Sequence, residues 1–163
     1  AGDDHIISYG GNDVLIGGEG NDLLNGGYIS VGQTIFNGGP GNDRLSSSTG
    51  SNTFIFGKNF GEDYIGSTMI DPSSFRKNAK IVNTIQFEDD WRASDFIFRR
   101  DYGSLIISSK KTNDRITVAD QFLGDYWNSN GEHPQHHIDR ITFSDGTVLD
   151  QAAITKLLQQ GSE

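Results

Sequence analysis

Asp4, Asp13 and Asp22 stand nine residues apart, and Asp43 and Asp63 continue the series after short insertions. Each follows a glycine by two residues (Gly2, Gly11, Gly20, Gly41, Gly61) and precedes an apolar residue by two (Ile6, Leu15, Leu24, Leu45, Ile65). The fullest copies read GGEGNDLLN at Gly17–Asn25 and GGPGNDRLS at Gly38–Ser46, so the repeat is G-G-x-G-x-D-x-U-x with U apolar. Glycine pairs admit φ > 0 and close backbone approach, which lets six residues turn tightly with their carbonyls inward. The aspartate adds one carboxylate per turn. Carbonyl and carboxylate oxygens, six to eight at a time, are what the hard cation calcium takes.

The elements that must position these oxygens are small. After the turn, three residues remain for a very short strand with one inward apolar side chain. A single leucine per rung cannot offset the backbone entropy of ordering it, so rungs must stack and the ion must contribute to folding. A flexible Gly/Asp linker would not keep the spacing and the apolar phase together. The copies also depart from the pattern. The second has Ser8-Tyr9 in place of the glycine pair. The fourth carries a three-residue insertion (Ile29, Ser30, Val31) and Thr34 at the aspartate position. The sixth has Ser47-Ser48 and Asn52, and the seventh has Gly61, Asp63 and Ile65 after two extra residues.

This nonapeptide resembles that of the RTX (repeats-in-toxin) family, over residues 1–66. The resemblance implies an all-β fold: a parallel β-roll in which two nonapeptides make one coil, successive loops alternate sides, and each calcium lies between loops i and i+2. One edge then carries Asp4, Asp22, Asp43 and Asp63, and the other Asp13, Thr34 and Asn52. Calcium is expected between Asp4/Asp22, Asp22/Asp43 and Asp43/Asp63, with a weaker site at Asp13, about three to four ions in all. The loop residues Gly2, Gly17, Gly18, Glu19, Gly20, Gly38, Gly39, Pro40 and Gly41 would supply carbonyls, and Asn52 a weaker oxygen. Three ions would balance this segment's eight acids and two bases, a net −6.

Residues 67–163 differ in composition, with 14 acids, 11 bases and only five of the 21 glycines. A loop over 67–80, with a helical turn near Pro72–Asn78, leads into alternating runs at Ile81–Phe87, Phe96–Arg99, Leu105–Ser108, Ile116–Ala119, Ile138–Phe143 and Thr147–Leu149. Ser144-Asp145-Gly146 reads as a tight turn. Asp150 is a helix N-cap for Gln151–Gln159, with Ile154, Leu157 and Leu158 on one face and Gly161 at the stop. This segment reads as a short-stranded antiparallel cap with a C-terminal helix. It resembles the flank that follows the repeats in haemolysin-type exoproteins, where the resemblance implies that it covers the open end of the roll and orders first.

Composition excludes several functions. A chain of 163 residues with net charge −9 and no basic patch is a poor partner for nucleic acid or anionic membranes. No apolar run of about 18 residues is present, and zero cysteines exclude disulfides and thiolate metal sites. No H-E-x-x-H, G-x-S-x-G or P-loop occurs, and no enzymatic activity is expected. Other features have plain readings: His133, His136 and His137 as an exposed loop, Glu88-Asp89-Asp90 as a solvated turn, Asp71-Pro72 as a turn rather than a self-cleavage bond. Trp91, Trp127, Tyr126 and Tyr102 read first as core and second as a platform for a host glycan or protein receptor.

The expectation is a monomeric calcium-binding module at the C-terminal end of a large bacterial exoprotein, toxin or adhesin, secreted or displayed at the cell surface. The resemblance implies type I secretion machinery as its partner and folding on calcium outside the cell. An adhesin module that binds a receptor, or an accessory domain of a secreted hydrolase, are the alternatives.

Overall fold

The computed structural model describes residues 1–27, 32–47, 50–66, 75–76, 81–122, 133–134 and 137–160. The glycine-led turns leave short strands between them: β1 (His5–Ile7), β2 (Asp13–Ile16), β3 (Leu23–Asn25), β4 (Gln33–Asn37), β5 (Arg44–Ser46), β6 (Ser51–Phe56) and β7 (Glu62–Gly66). Odd strands lie in one sheet and even strands in the other, each pairing in parallel with the strand two along. That is a coil of two nonapeptides per turn. Side chains alternate across a strand, so each rung sends one apolar residue inward. In register these form two facing columns, Ile6-Leu24-Leu45-Ile65 and Leu15-Phe36-Phe54. From Leu24 and Phe36 onward they are essentially sealed from water. The register passes the insertion at 29–31 unchanged, pairing Leu15 with Phe36.

Parallel pairing continues past Gly66. Strands β9 (Thr84–Phe87) and β14 (Arg140–Thr142) extend the even sheet in parallel after β6, and β12 (Arg115–Val118) extends the odd sheet in parallel after β7. The columns gain Val118 on one side and Ile85 and Ile141 on the other. Antiparallel pairing, expected for the whole cap, begins only beyond these rungs. It joins β12 to β11 (Ser104–Ser109) and β10 (Phe96–Asp101), and β14 to β15 (Val148–Leu149) across the Ser144–Gly146 turn. The strands are shorter than expected at Ile81–Phe87 and Ile138–Phe143 and longer at β10 and β11.

At the capped end the thin columns widen into an aromatic cluster of Phe56, Phe60, Phe87, Trp91, Phe96 and Phe143, with Phe87 stacked on Phe96 at 4.4 Å and on Phe143 at 5.1 Å. A solenoid end must cover its apolar cross-section, and the flank does so with rings. Trp91 therefore belongs to the core, and its indole N–H donates to Gly57 O at 2.9 Å. The helix α1 (Gln151–Gln160) buries Ile154 and starts as expected, with Asp150 Oδ1 accepting the Ala153 N–H at 2.8 Å. A further expectation fails. Phe75–Arg76 (β8) is an extended pair with His133–Pro134 (β13), not part of a helical turn. Asp71-Pro72, Tyr126, Trp127, His136 and Gly161 lie outside the described residues.

The rungs stack so closely that some glycines have no substitute. Gly41 has φ +145°, and a Cβ there would stand 1.8 Å from Gly20 O. Gly2 has φ +97° but open space around it. Gly2→Ala should destabilise by about 1 kcal/mol through backbone strain alone, and Gly41→Ala by more, because a backbone carbonyl must also move. Thermal or urea unfolding of the two variants measures the difference; equal losses would contradict the stacking.

Candidate metal centres

Two side-chain ladders run along the odd edge. In the first, each aspartate Oδ1 accepts the backbone N–H of the aspartate one rung earlier: Asp4 to Asp22 at 2.7 Å, Asp22 to Asp43 at 2.8 Å, Asp43 to Asp63 at 2.7 Å. In the second, the residue before each aspartate accepts from the rung after it: Asn21 to Asp3, Asn42 to Asn21 and Glu62 to Asn42, all at 2.8–2.9 Å. The sequence reading missed this ladder. Its signal was the recurrence of Asp3, Asn12, Asn21 and Asn42 at one repeat position. Asp114, in the flank, accepts the Gly61 N–H at 2.8 Å near the end of the aspartate ladder, and no repeat motif marked it.

The second carboxylate oxygen carries the chemistry. Asp22 and Asp43 are 2 % and 1 % exposed, and their Oδ2 atoms are buried with no hydrogen-bond donor. A buried orphan acceptor costs about 1–3 kcal/mol, more when charged, so each of these oxygens calls for a cation. Each sits in a cradle that only glycine permits. A Cβ at Gly17 would lie 2.1 Å from Asp22 Oδ2 and 2.8 Å from Gly38 O, and a Cβ at Gly38 would lie 2.1 Å from Asp43 Oδ2. The loops stack through carbonyls: Gly18 N–H donates to Gly38 O, Gly20 N–H to Pro40 O, and Gly2 N–H to Glu19 O. Among the described residues no three Asp, Glu or His side chains converge. A calcium ion would be held by one or two carboxylates and several loop carbonyls, and the residues present fit it. Asp22 and Asp43, with the loops of Gly17–Gly20 and Gly38–Gly41, are the residues that would hold it, and the ion would neutralise the buried charge and tie rung to rung.

The other expected ligands fare differently. Asp4 is exposed, 3.9 Å from the Ala1 amino group. Asp63 is buried, but Lys58 stands where its loop would need the first glycine, so the cradle of Gly17 and Gly38 is not repeated there. Asp13 accepts a short hydrogen bond from Ser8 Oγ. Asn52 lies on the opposite edge from the aspartate ladder, as expected, its amide nitrogen donating to Gly50 O and Asn83 Oδ1 at 2.9 Å. Asp89 caps the Lys58 N–H and Asp90 pairs with Lys58 Nζ at 3.3 Å, which makes 88–90 a turn. His137 is buried, its Nδ1 2.8 Å from Gln121 O, not an exposed loop residue. Tyr102 is exposed at the β10–β11 hairpin tip, apart from the buried Trp91.

Burial pushes the Asp43 carboxyl up to about 6 and that of Asp63 to about 8. Hydrogen bonds from the Asp22 and Asp43 N–H groups oppose this, and neighbouring carboxylates add to it. Against the ordinary 3.8, the metal-free roll therefore holds protons that the unfolded chain has released. This stabilisation is full below the ordinary value and is lost as pH rises through about 6 for Asp43 and about 8 for Asp63. In calcium-free buffer the chain should melt higher near pH 5 than near pH 8.5, and calcium binding should release protons and tighten with pH over that window. Melting that rises with pH in calcium-free buffer would contradict this.

Comparison with known families matches residues 1–27 and 32–58 to the RTX calcium-binding nonapeptide repeat, and 105–153 to the haemolysin-type calcium-binding protein related domain. The chain is a haemolysin-type RTX calcium-binding segment. Residues 1–27 and 32–58 are thus repeats of the RTX calcium-binding type, and the match to the flank covers β11, β12, β14 and β15. The segment is 33 % identical over 111 residues to the iron-regulated protein FrpA of Neisseria meningitidis serogroup C, which covers 68 % of this chain and 9 % of that protein. It is also similar to the extracellular lipase LipA of Serratia marcescens, with TM-score 0.48 and 22 % identity, over 73 % of this chain and 17 % of the lipase. The chain spans under a fifth of either protein.

Proposed function

We propose that this RTX segment is a non-catalytic, calcium-responsive module of a large bacterial exoprotein, a toxin or adhesin, exported by type I secretion machinery and folded by calcium outside the cell. The observation that carries the reading is the pair of buried, donorless oxygens, Asp22 Oδ2 and Asp43 Oδ2, in glycine-only cradles. Such oxygens make the folded roll unfavourable where calcium is scarce and favourable where it is abundant. A chain that stays unfolded inside and folds outside suits passage through a narrow exporter. The small share of FrpA that the segment covers supports a module within a larger protein.

Export of the parent protein carrying Asp22→Asn and Asp43→Asn, into medium with and without calcium, tests the reading. The variant should lose the calcium dependence of external folding and yield. Equal yield and folding of parent and variant at every calcium level would refute it.

A further inference from the structure

The even edge repeats the hydrogen-bond pattern of the aspartate ladder with amides. Asn52 N–H donates to Asn83 Oδ1 at 3.0 Å, as Asp22 N–H donates to Asp43 Oδ1 at 2.8 Å. Asn83 N–H donates in turn to Asp139 Oδ2 at 2.8 Å. The three residues come from β6, from the strand start before β9 and from the segment before β14, so the ladder crosses from the repeats into the flank.

The decisive difference is the second side-chain atom. On the odd edge it is a carboxylate oxygen without a donor. On the even edge it is an amide nitrogen already satisfied: Asn52 Nδ2 donates to Gly50 O and Asn83 Oδ1 at 2.9 Å, and Asn83 Nδ2 donates to His137 O at 2.9 Å. An amide N–H meets carbonyls without any ion, and its nitrogen has no lone pair to offer a cation. The cradle is gone as well. Five residues before Asn52, where Gly38 precedes Asp43, stands Ser47, so the glycine of the odd-edge cradle is not repeated at this position. Asn52 and Asn83 are both essentially sealed from water, so these bonds act in a low-dielectric interior where satisfied polar pairs are strong. Gln121 extends the neutral network, holding Ile138 through both its amide atoms and accepting the His137 contact on its carbonyl.

We infer that Asn52 and Asn83 form a metal-free latch: they do on the even edge what calcium does on the odd edge, and join the last repeats to the flank without an ion. Asn83 is then a positioning residue that holds this rung in place without an ion. The inference depends on the calcium reading of the odd edge only for the contrast between edges.

Hydrogen exchange of the whole chain, with calcium and with chelator, tests it. Amides of β6 and β9 should keep at least about ten-fold more protection than those of β3 and β5 when calcium is removed. Loss of protection on both edges together would overturn the latch. Protection unchanged on both edges would leave the latch standing and instead refute the calcium reading of the odd edge. Asn83→Ala should lower the melting temperature in chelator while leaving the number of bound calcium ions, counted by calorimetry, unchanged. Fewer ions would make Asn83 a ligand and overturn the proposal. Asn83→Asp, which keeps the Asn52 acceptor and the residue's size, should weaken the chelated protein without adding an ion. An added ion would likewise overturn it.

Discussion

Removing calcium with a chelator at neutral pH is expected to melt the repeats of the odd edge and to remove most of the far-UV β signal of residues 1–46. The reason is the sign of the electrostatics. Asp22, Asp43 and Asp63 are stacked rung on rung, each buried, each accepting a backbone hydrogen bond from its neighbour. Without a cation, the roll must bury like charges in line or hold their protons. With calcium, each ion cancels that penalty and adds its own binding energy. For a dissociation constant of about 10⁻⁴ M and calcium at about 1 mM, each site adds about 1.4 kcal/mol. Two glycine cradles would then contribute about 3 kcal/mol, a large share of the roughly 5–15 kcal/mol that stabilises a domain. The apolar columns supply only one buried side chain per rung, so little else holds β1, β3 and β5. The aromatic cluster around Phe87 and the Asn52–Asn83 ladder should survive chelation. A circular dichroism spectrum that does not change on chelation would show that the carboxylates are not metal-dependent.

The odd-even geometry was legible because it rests on period alone. Nine-residue spacing with a glycine two before and an apolar residue two after each aspartate left one arrangement for Asp22 and Asp43, and the strands fall there. The division of the two edges was legible for the same reason, from Thr34 and Asn52 in place of aspartate. What replaced calcium on the even edge was not. Asn83 sits 31 residues after Asn52, beyond a segment with no repeat, and only the fold brings them together. The bond from the Gly61 N–H to Asp114 was invisible for the same reason, since 53 residues separate them. The cap read as antiparallel because short alternating runs look alike in either direction, and β9, β12 and β14 are parallel only because they inherit the register of β6 and β7. Asp63 differs from Asp22 and Asp43 at one repeat position: five residues before it stands Lys58, where they have Gly17 and Gly38.

Asp43→Asn should stabilise the chelated protein and lose much of that advantage in calcium. The substitution keeps Oδ1 as acceptor for the Asp22 N–H and exchanges the donorless Oδ2 for an amide nitrogen. That is the exchange already present at Asn52, whose nitrogen meets Gly50 O. In chelator, the variant loses a buried unsatisfied oxygen and the repulsion from Asp22, and should gain about 1–3 kcal/mol over the parent. In calcium at about 1 mM it should bind at least one ion fewer and forgo the roughly 1.4 kcal/mol of that site, so its advantage over the parent shrinks by that amount. Gly38→Ala separates charge from shape. Its Cβ would meet Asp43 Oδ2 at 2.1 Å without altering any charge, so it should lose the ion and be less stable in both buffers. Urea unfolding of the parent and both variants, with and without calcium, gives the comparison. If Asp43→Asn were destabilised equally in both buffers, Asp43 would be a structural acceptor only, and the orphan oxygen would have no ion to hold.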